Sequence, residues 1–295
     1  MTATRIELEH VVPPAGEERD ACTLLAALSG LPKGRIKDAM NKGAVGLRRG
    51  RAPARRLRRA TAALYAGDRL SLCYDAELLA RQPPRARLLQ RLGRYSIWYK
   101  PPGLMAQGNR CGDHCSLLRQ AEQALQREVH LVHRLDREAE GLMLVGHDGE
   151  AAAKLSALFV NRRVEKHYRV EVRGMPGPVG ATGRIDTPLD GKPALTAYRV
   201  TAVDAGRGTA RLEVAIETGR LHQIRRHLDA IGHPVLGDPR YGTGNRNTEG
   251  LRLSACRLAF RCPFTGARRE FNLDAAGSGV PEAGGEAAPG PEHPA

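Results

Sequence analysis

The sequence predicts an α+β chain of two domains, and three observations predict it. Residues 20–75 read as two short helical repeats, a basic loop and one strand. Beyond residue 93, segments alternating at period two outnumber helical ones and are separated by glycine and proline turns. Between these regions, residues 76–92 carry Pro83, Pro84 and several arginines, the composition of a linker. The expected organisation is an arm (1–19), a small module (20–75), a linker (76–92), a large domain (93–274) and a tail (275–295). At 295 residues, a large and a small domain each with its own core are within reach.

Lys plus Arg number 46 against 32 Asp plus Glu, a net charge of +14 and a pI near 10. Such an excess calls for a polyanionic partner, most simply nucleic acid, with an acidic membrane surface as the competing explanation. No apolar run approaches the roughly 18–20 residues of a membrane span, and the first residues lack a basic-then-apolar signal pattern, so a cytoplasmic location is expected. The six cysteines (22, 73, 111, 115, 256 and 262) are accordingly expected as reduced thiols. Their spacings match no compact zinc motif, and no metal is expected.

Taken in order, residues 1–19 contain Pro13, Pro14 and Gly16 and read as an extended arm or edge strand. Asp20 is placed to cap a helix through Cys22, Leu25 and Leu28 that stops at Gly30. A second helix spans Lys33 to Asn41, burying Ile36, Ala39 and Met40 and leaving Lys33 and Lys37 outside. From Lys33 to Arg59 there are eleven Lys or Arg and one acid, Asp38. That density is either a solvated face or a surface for phosphates, and its self-repulsion favours phosphates. Gly67-Asp68 then turns into the strand Arg69 to Tyr74. Two short helices, a basic loop and a strand after Gly-Asp resemble the S-four-type RNA-binding module.

In the larger domain, Tyr95 to Tyr99 is a strand closed by the turn Lys100-Pro-Pro-Gly. A helix follows over Ser116 to Gln126. Residues 131–146 then place Asp136 among Arg134 and Arg137 and run into an apolar strand. If this backbone is extended, Arg134 and Asp136 share one side while His133 and Leu135 share the other. Taken alone, the cluster reads more readily as a solvated charged turn. A helix from Glu150 to Val160 precedes the strand Val164 to Val172, on which Tyr168 faces the core side, as a plain core tyrosine also would. Strands at Thr196 to Val203 and Ala210 to Glu217 lead to Thr218-Gly-Arg-Leu-His-Gln-Ile-Arg, read as a glycine turn into a helix. Leu221, Ile224 and Leu228 form its apolar stripe. Gly219, Arg220, His222 and Gln223 would then stand at its anion-attracting end, and Arg225, beside the stripe, needs a carboxylate partner. Short strands close the domain at Leu251 to Phe260 and Glu270 to Leu273. The last residues, rich in Ala, Gly, Pro and Glu, cannot pack a core and are expected to be disordered.

His-Arg-Leu-Asp at 133–136, Lys-x-Tyr at 166–168, Thr-Gly-Arg-x-His-Gln-Ile-Arg at 218–225 and Gly-x-Pro-x-x-Gly-Asp at 232–238 occur in one domain, after a Lys-Pro-x-Gly turn. Together they resemble the RluA-type pseudouridine synthases over about residues 93–273. The resemblance implies a mixed, mostly antiparallel central sheet flanked by helices, and isomerisation of uridine to pseudouridine in RNA with no cofactor. It assigns catalysis to Asp136, Tyr168 and Arg225: the nucleophile, the ring that stacks on the base and assists proton removal at carbon 5, and the ion-pair partner. Arg134 matches the arginine that enters the vacated base stack. Lys166, Arg220, His222 and Gln223 are further substrate-binding candidates, as are Lys33, Arg48, Arg49, Arg51, Arg55 and Arg56 of the small module. The expected partner is RNA, large-subunit ribosomal RNA ahead of transfer RNA, bound by a monomer. A non-catalytic RNA-binding or assembly factor on the same scaffold is the other reading. Two departures stand out: Ala139 and Glu140 replace a Thr-Ser pair before Gly141, and Ser254 stands where many relatives have His. If Glu140 faced the site it would oppose ionisation of Asp136.

Overall fold

A computed structural model describes residues 5–14, 20–245 and 247–274, with the backbone of 279–280. Two compact units divide the chain, Met1–Pro84 with Met105–Ala124, and Arg85–Leu104 with Leu125–Ala295.

The first unit contains β1 (Arg5–Val11), α1 (Ala21–Ser29), α2 (Lys33–Asn41), β2 (Val45–Arg48), β3 (Arg55–Arg56), β4 (Arg69–Asp75), α3 (Ala76–Ala80) and nearly all of α4 (Leu117–Leu125). Asp20 caps α1 by accepting from the Thr23 amide at 2.9 Å, and Gly30 ends it at φ 70°, a left-handed conformation that glycine adopts without strain. Ile36, Ala39 and Met40 are fully buried under α2. The strands form an antiparallel sheet in the order β1-β4-β2-β3, and Leu70, Leu72 and Val45 pack it on Leu25 and Ile36. The arm thus supplies an edge strand, while residues 1–4 and 15–19 lie outside the described residues.

Three expectations need correction here. The stretch 105–124, assigned to the larger domain, belongs to this unit because its loop is bonded into it. The amide of Asp113 donates to the Lys42 carbonyl (2.9 Å), and Arg58 pairs with Asp113 at 2.5 Å. That placement also brings Cys111 beside Cys73 of β4, Cα to Cα 4.6 Å, and the two form a disulfide instead of free thiols. Finally, the linker is mostly regular structure. Asp75 caps α3 through the Leu78 amide, and Arg87–Leu92 is a strand of the second unit; only residues 81–86 lack an element. An edge strand tolerates alternating arginines because one side of it meets water.

The second unit is organised by one mixed sheet. Its elements are β5 (Arg87–Leu92), β6 (Tyr95–Lys100), β7 (His130–Leu131), β8 (Glu140–Gly146), α5 (Gly149–Val160), β9 (Val164–Arg173), β10 (Thr182–Ile185), β11 (Thr196–Asp204), β12 (Thr209–Ile216), α6 (Gln223–Ala230), β13 (Leu253–Arg261), β14 (Arg268–Leu273) and β15 (Gly279–Val280). The strand order is β10-β11-β12-β9-β13-β8-β6-β5, with β7 on β8 and β14 between β13 and β15. Among the described residues every pairing is antiparallel except β8 with β13. This is the α+β class with a mixed, mostly antiparallel sheet. Strand β9 follows the expected alternation, β8 is buried from Gly141 to Gly146, and Leu142, Leu144, Val164 and Phe260 join Leu155 of α5 in a core on one face. Apart from Gly279–Val280, the tail lies outside the described residues. No helix among the described residues is long and apolar enough to cross a membrane.

Candidate active site

The loop carrying Asp136 leaves β7 and enters β8 where β8 lies parallel to β13, Glu140 opposite Ser254. That junction requires Gly141. It sits at φ 125°, and a Cβ there would collide with the backbone of Ala255. The loop is pinned from below by Lys100, whose fully buried ammonium donates to the carbonyls of Ala139 (2.5 Å), Leu104 (2.8 Å), Pro101 (3.1 Å) and Arg137 (3.3 Å). Burial pushes its pKa down to about 7, against the pull of Asp136, Glu138 and Glu140. Residues 132–136 belong to no strand, yet the expected sidedness is present. Arg134 is exposed and Asp136 half-buried, while Leu135 is buried and His133 stacks on Phe159 at 4.3 Å. His133 accepts from the Leu144 amide, and burial pushes its pKa down to about 3, so it is a neutral packing residue.

Arg225, in the first turn of α6, is 1% exposed and gripped from two sides. Its Nε and Nη2 donate to Asp238 at 2.6 and 2.8 Å, and its Nη1 donates to Asp136 at 2.9 Å. The fork on Asp238 fixes the guanidinium plane, and the remaining nitrogen is thereby aimed at Asp136. Tyr241 lies beneath, 5.3 Å from the guanidinium carbon. Burial opposes the arginine's charge, but hydrogen bonds to Asp238 and Asp136 more than offset it and raise its pKa. Asp238 itself accepts from the amides of Arg240 and Tyr241. Burial raises its carboxyl, yet Arg225 and these amides hold it below the usual range.

A cavity of about 260 Å³ opens over this pair. Arg134, Asp136, Ala139, Tyr168, Arg220, His222 and Arg225 border it. Tyr168 stands on β9 opposite Val214 of β12. Burial first, then the charge of Asp136, raises the pKa of its phenol, which stays protonated at neutral pH. His222 has the left-handed φ of 52°, places Nε2 3.8 Å from Asp136 and meets the Tyr241 hydroxyl at 3.1 Å. Burial lowers its pKa despite Asp136, so its ring is mainly neutral at pH 7.

Residues 94–230 match the family model described as RNA pseudouridylate synthase. The chain is 32% identical to the dual-specificity RNA pseudouridine synthase RluA of Escherichia coli K12, over 58% of this chain and 84% of that one. The chain belongs to the RNA pseudouridylate synthase family. It is also 31% identical to the ribosomal large subunit pseudouridine synthase D of Zymomonas mobilis, over 49% of this chain; it spans about half the length of that relative (52%). The fold agrees with that of human RNA pseudouridylate synthase domain containing 1, with a TM-score of 0.55 and 22% identity over 70% of this chain and 94% of that one.

Against the family's pattern, several side chains stand elsewhere than the sequence suggested. Glu140 points away from Asp136 and accepts from the Tyr99 hydroxyl at 2.6 Å. The additional acid near the site is Glu138, 3.8 Å from Arg225 Nη1. Gln223 borders the cavity but its amide is already engaged. Its Oε1 accepts from Thr218 and the Arg220 amide, and its Nε2 donates to Leu195 and Thr196, so its amide braces the loop. Leu221 is 60% exposed, not part of the helix stripe, because the left-handed His222 delays α6 to Gln223. Lys166 is buried and donates to the carbonyls of Glu217 and Thr218.

In the first unit, Lys33, Arg48, Arg51 and Arg55 are exposed, and their side chains make no hydrogen bond or close ion pair among the described residues. Arg49 and Arg56 differ. Arg49 bonds the Ala63 carbonyl and pairs with Asp68; Arg56 donates to the carbonyls of Gly43, Asn109 and Arg110, with its charge spent on holding the loop. Sequence reasoning missed Asp238 and Lys100 as site-building residues. The signal for Asp238 was the arginine itself, since a buried guanidinium has donors for more than one carboxylate.

Proposed function

We propose that the chain is an RNA pseudouridine synthase that isomerises uridine in structured RNA, large-subunit ribosomal RNA first, as a cytoplasmic monomer. One observation carries the reading: a carboxylate, Asp136, at the mouth of a nucleoside-sized cavity and paired at 2.9 Å with an arginine whose other face is locked on Asp238. Flipping the target into this cavity costs on the order of a few kcal/mol of unstacking, least in a loop or bulge. Arg134, exposed at the rim, occupies the space left in the stack.

Asp136 attacks C1′ of the ribose or stabilises its cationic form as the C1′–N1 bond breaks. The detached base turns over Tyr168, C5 bonds C1′ as the Asp136 oxygen leaves it, C5 then loses its proton and N1 gains one. No electrons are exchanged. Because the Tyr168 phenol stays protonated, its ring face and O–H orient the base, and the C5 proton passes to Asp136 or to water.

The test is tritium release from RNA labelled at C5 of uridine, with pseudouridine mapping of ribosomal and transfer RNA from cells with and without the gene. Binding without release would favour the assembly-factor reading instead. The small module is proposed to dock RNA through Lys33, Arg48, Arg51 and Arg55. Arg48→Ala, Arg51→Ala and Arg55→Ala together are expected to weaken binding and reduce the slope of log affinity against log salt by about 2, at roughly 0.7 to 0.9 per phosphate contact. An unchanged slope, measured by fluorescence anisotropy, removes the module from docking.

A further inference from the structure

A second cavity, of about 440 Å³, adjoins the first and shares Arg134, Tyr168, Ile216, Gly219 and Arg220 with it. A chain that fills one therefore enters the other. The wall that belongs to the second alone includes Phe159 and Val160 at the end of α5, Arg162 in the following turn, and Lys166.

Its electrostatics are one-sided. Arg134, Arg162, Lys166 and Arg220 face it, against the single carboxylate of Glu217. Arg162 is exposed and its side chain has no partner among the described residues. Lys166 is 7% exposed, and its contacts to the Glu217 and Thr218 carbonyls are long, 3.3 and 3.5 Å. Burial, then the neighbouring charge of Arg162, pushes its pKa down to about 8. An anion between the two offsets the repulsion and supplies the buried ammonium with a charged acceptor. The other wall is apolar. Phe159 is fixed by its stack on His133, and Val160 is 79% exposed. Cations on one side and apolar surface on the other match one nucleotide, phosphate to the first and base to the second.

We propose that the second cavity receives the nucleotide covalently next to the target uridine, with its phosphodiester between Arg162 and Lys166 and its base against Phe159 and Val160. The cavity then selects sequence context, a task separate from the chemistry at Asp136. This inference rests on the reading of the chain as an RNA pseudouridine synthase.

The experiment uses the full chain and total RNA from cells lacking the gene, labelled with [5-³H]uridine, and compares the native protein with Arg162→Ala and Val160→Asp. Both positions are exposed, and thermal melts check that the variants fold. In Arg162→Ala, KM is expected to rise about fivefold to tenfold with kcat within twofold, and the salt slope of binding to fall by about 0.7, one single-strand phosphate contact. In Val160→Asp, KM rises comparably through lost apolar contact and added repulsion. A merely structural role would lower kcat and the melting temperature and leave the salt slope alone. Native turnover with unchanged KM and slope in Arg162→Ala overturns the subsite and leaves the function standing. Absence of tritium release by the native protein overturns both.

Discussion

Asp136→Asn is expected to bind RNA within about threefold of the native chain and to isomerise uridine at least about 10⁴-fold more slowly, the scale seen when a residue of the reacting unit is removed. The substitution keeps the shape and the acceptor oxygen that faces Arg225 Nη1 at 2.9 Å. What it removes is the charge and the oxygen proposed as nucleophile. Arg225 remains paired on its other side with Asp238, so the buried guanidinium is not stranded and the fold should survive. Affinity should hold because the groups proposed to meet RNA are elsewhere: Arg134 at the rim, and Lys33, Arg48, Arg51 and Arg55 on the first unit. Single-turnover tritium release at saturating RNA, with anisotropy on the same RNA, reads the two effects apart. Residual turnover within a hundredfold of native would take the nucleophile role from Asp136.

The pairing of Asp136 with Arg225 was legible because each member sits in a short motif with its own local reason. Asp136 precedes an apolar strand, and Arg225 stands beside the apolar stripe of α6, where burial demands a carboxylate. Other residues were not legible, for three physical reasons. Asp238 reads as turn chemistry in Gly-Asp-Pro, and only the tertiary path after α6 turns it back to Arg225. Leu221 fits the helix period, but periodicity does not report the left-handed residue at 222 that shifts the helix start. Arg49 and Arg56 look identical to Arg48 and Arg55 in a basic run, and only the tertiary path separates them: Arg49 meets the Ala63 carbonyl and Asp68, while Arg56 meets the loop carbonyls of Asn109 and Arg110, distant in sequence. The strands show the same limit. Alternation revealed β9 and β12, which have one buried face, whereas β5 at the sheet edge carries arginines and reads as linker.

Arg225→Met should be the most destabilising single change at this site, at roughly 3–5 kcal/mol, the usual cost of removing one partner of a buried ion pair. Asp238, fully buried, would be left with amide donors alone. The pH dependence should change sign with it. In the native chain burial raises the Asp238 pKa, but Arg225 and the amides outweigh burial and depress it. Its contribution is therefore fully present above the ordinary value of 3.8 and is lost as the pH falls through the depressed value. Without Arg225, burial dominates and the folded pKa rises above 3.8; stability is then lost as the pH climbs through that window, and the variant becomes relatively more stable in mild acid. Urea denaturation at pH 5 and pH 7 measures the sign, and equal differences from native at the two values would show that Asp238 does not depend on Arg225 for its charge. The double variant Arg225→Met, Asp238→Asn separates fold from chemistry. It removes the stranded charge and should recover much of the stability, while Asp136 still lacks its counter-charge and turnover stays low. Recovery of turnover along with stability would mean that Arg225 serves the fold alone.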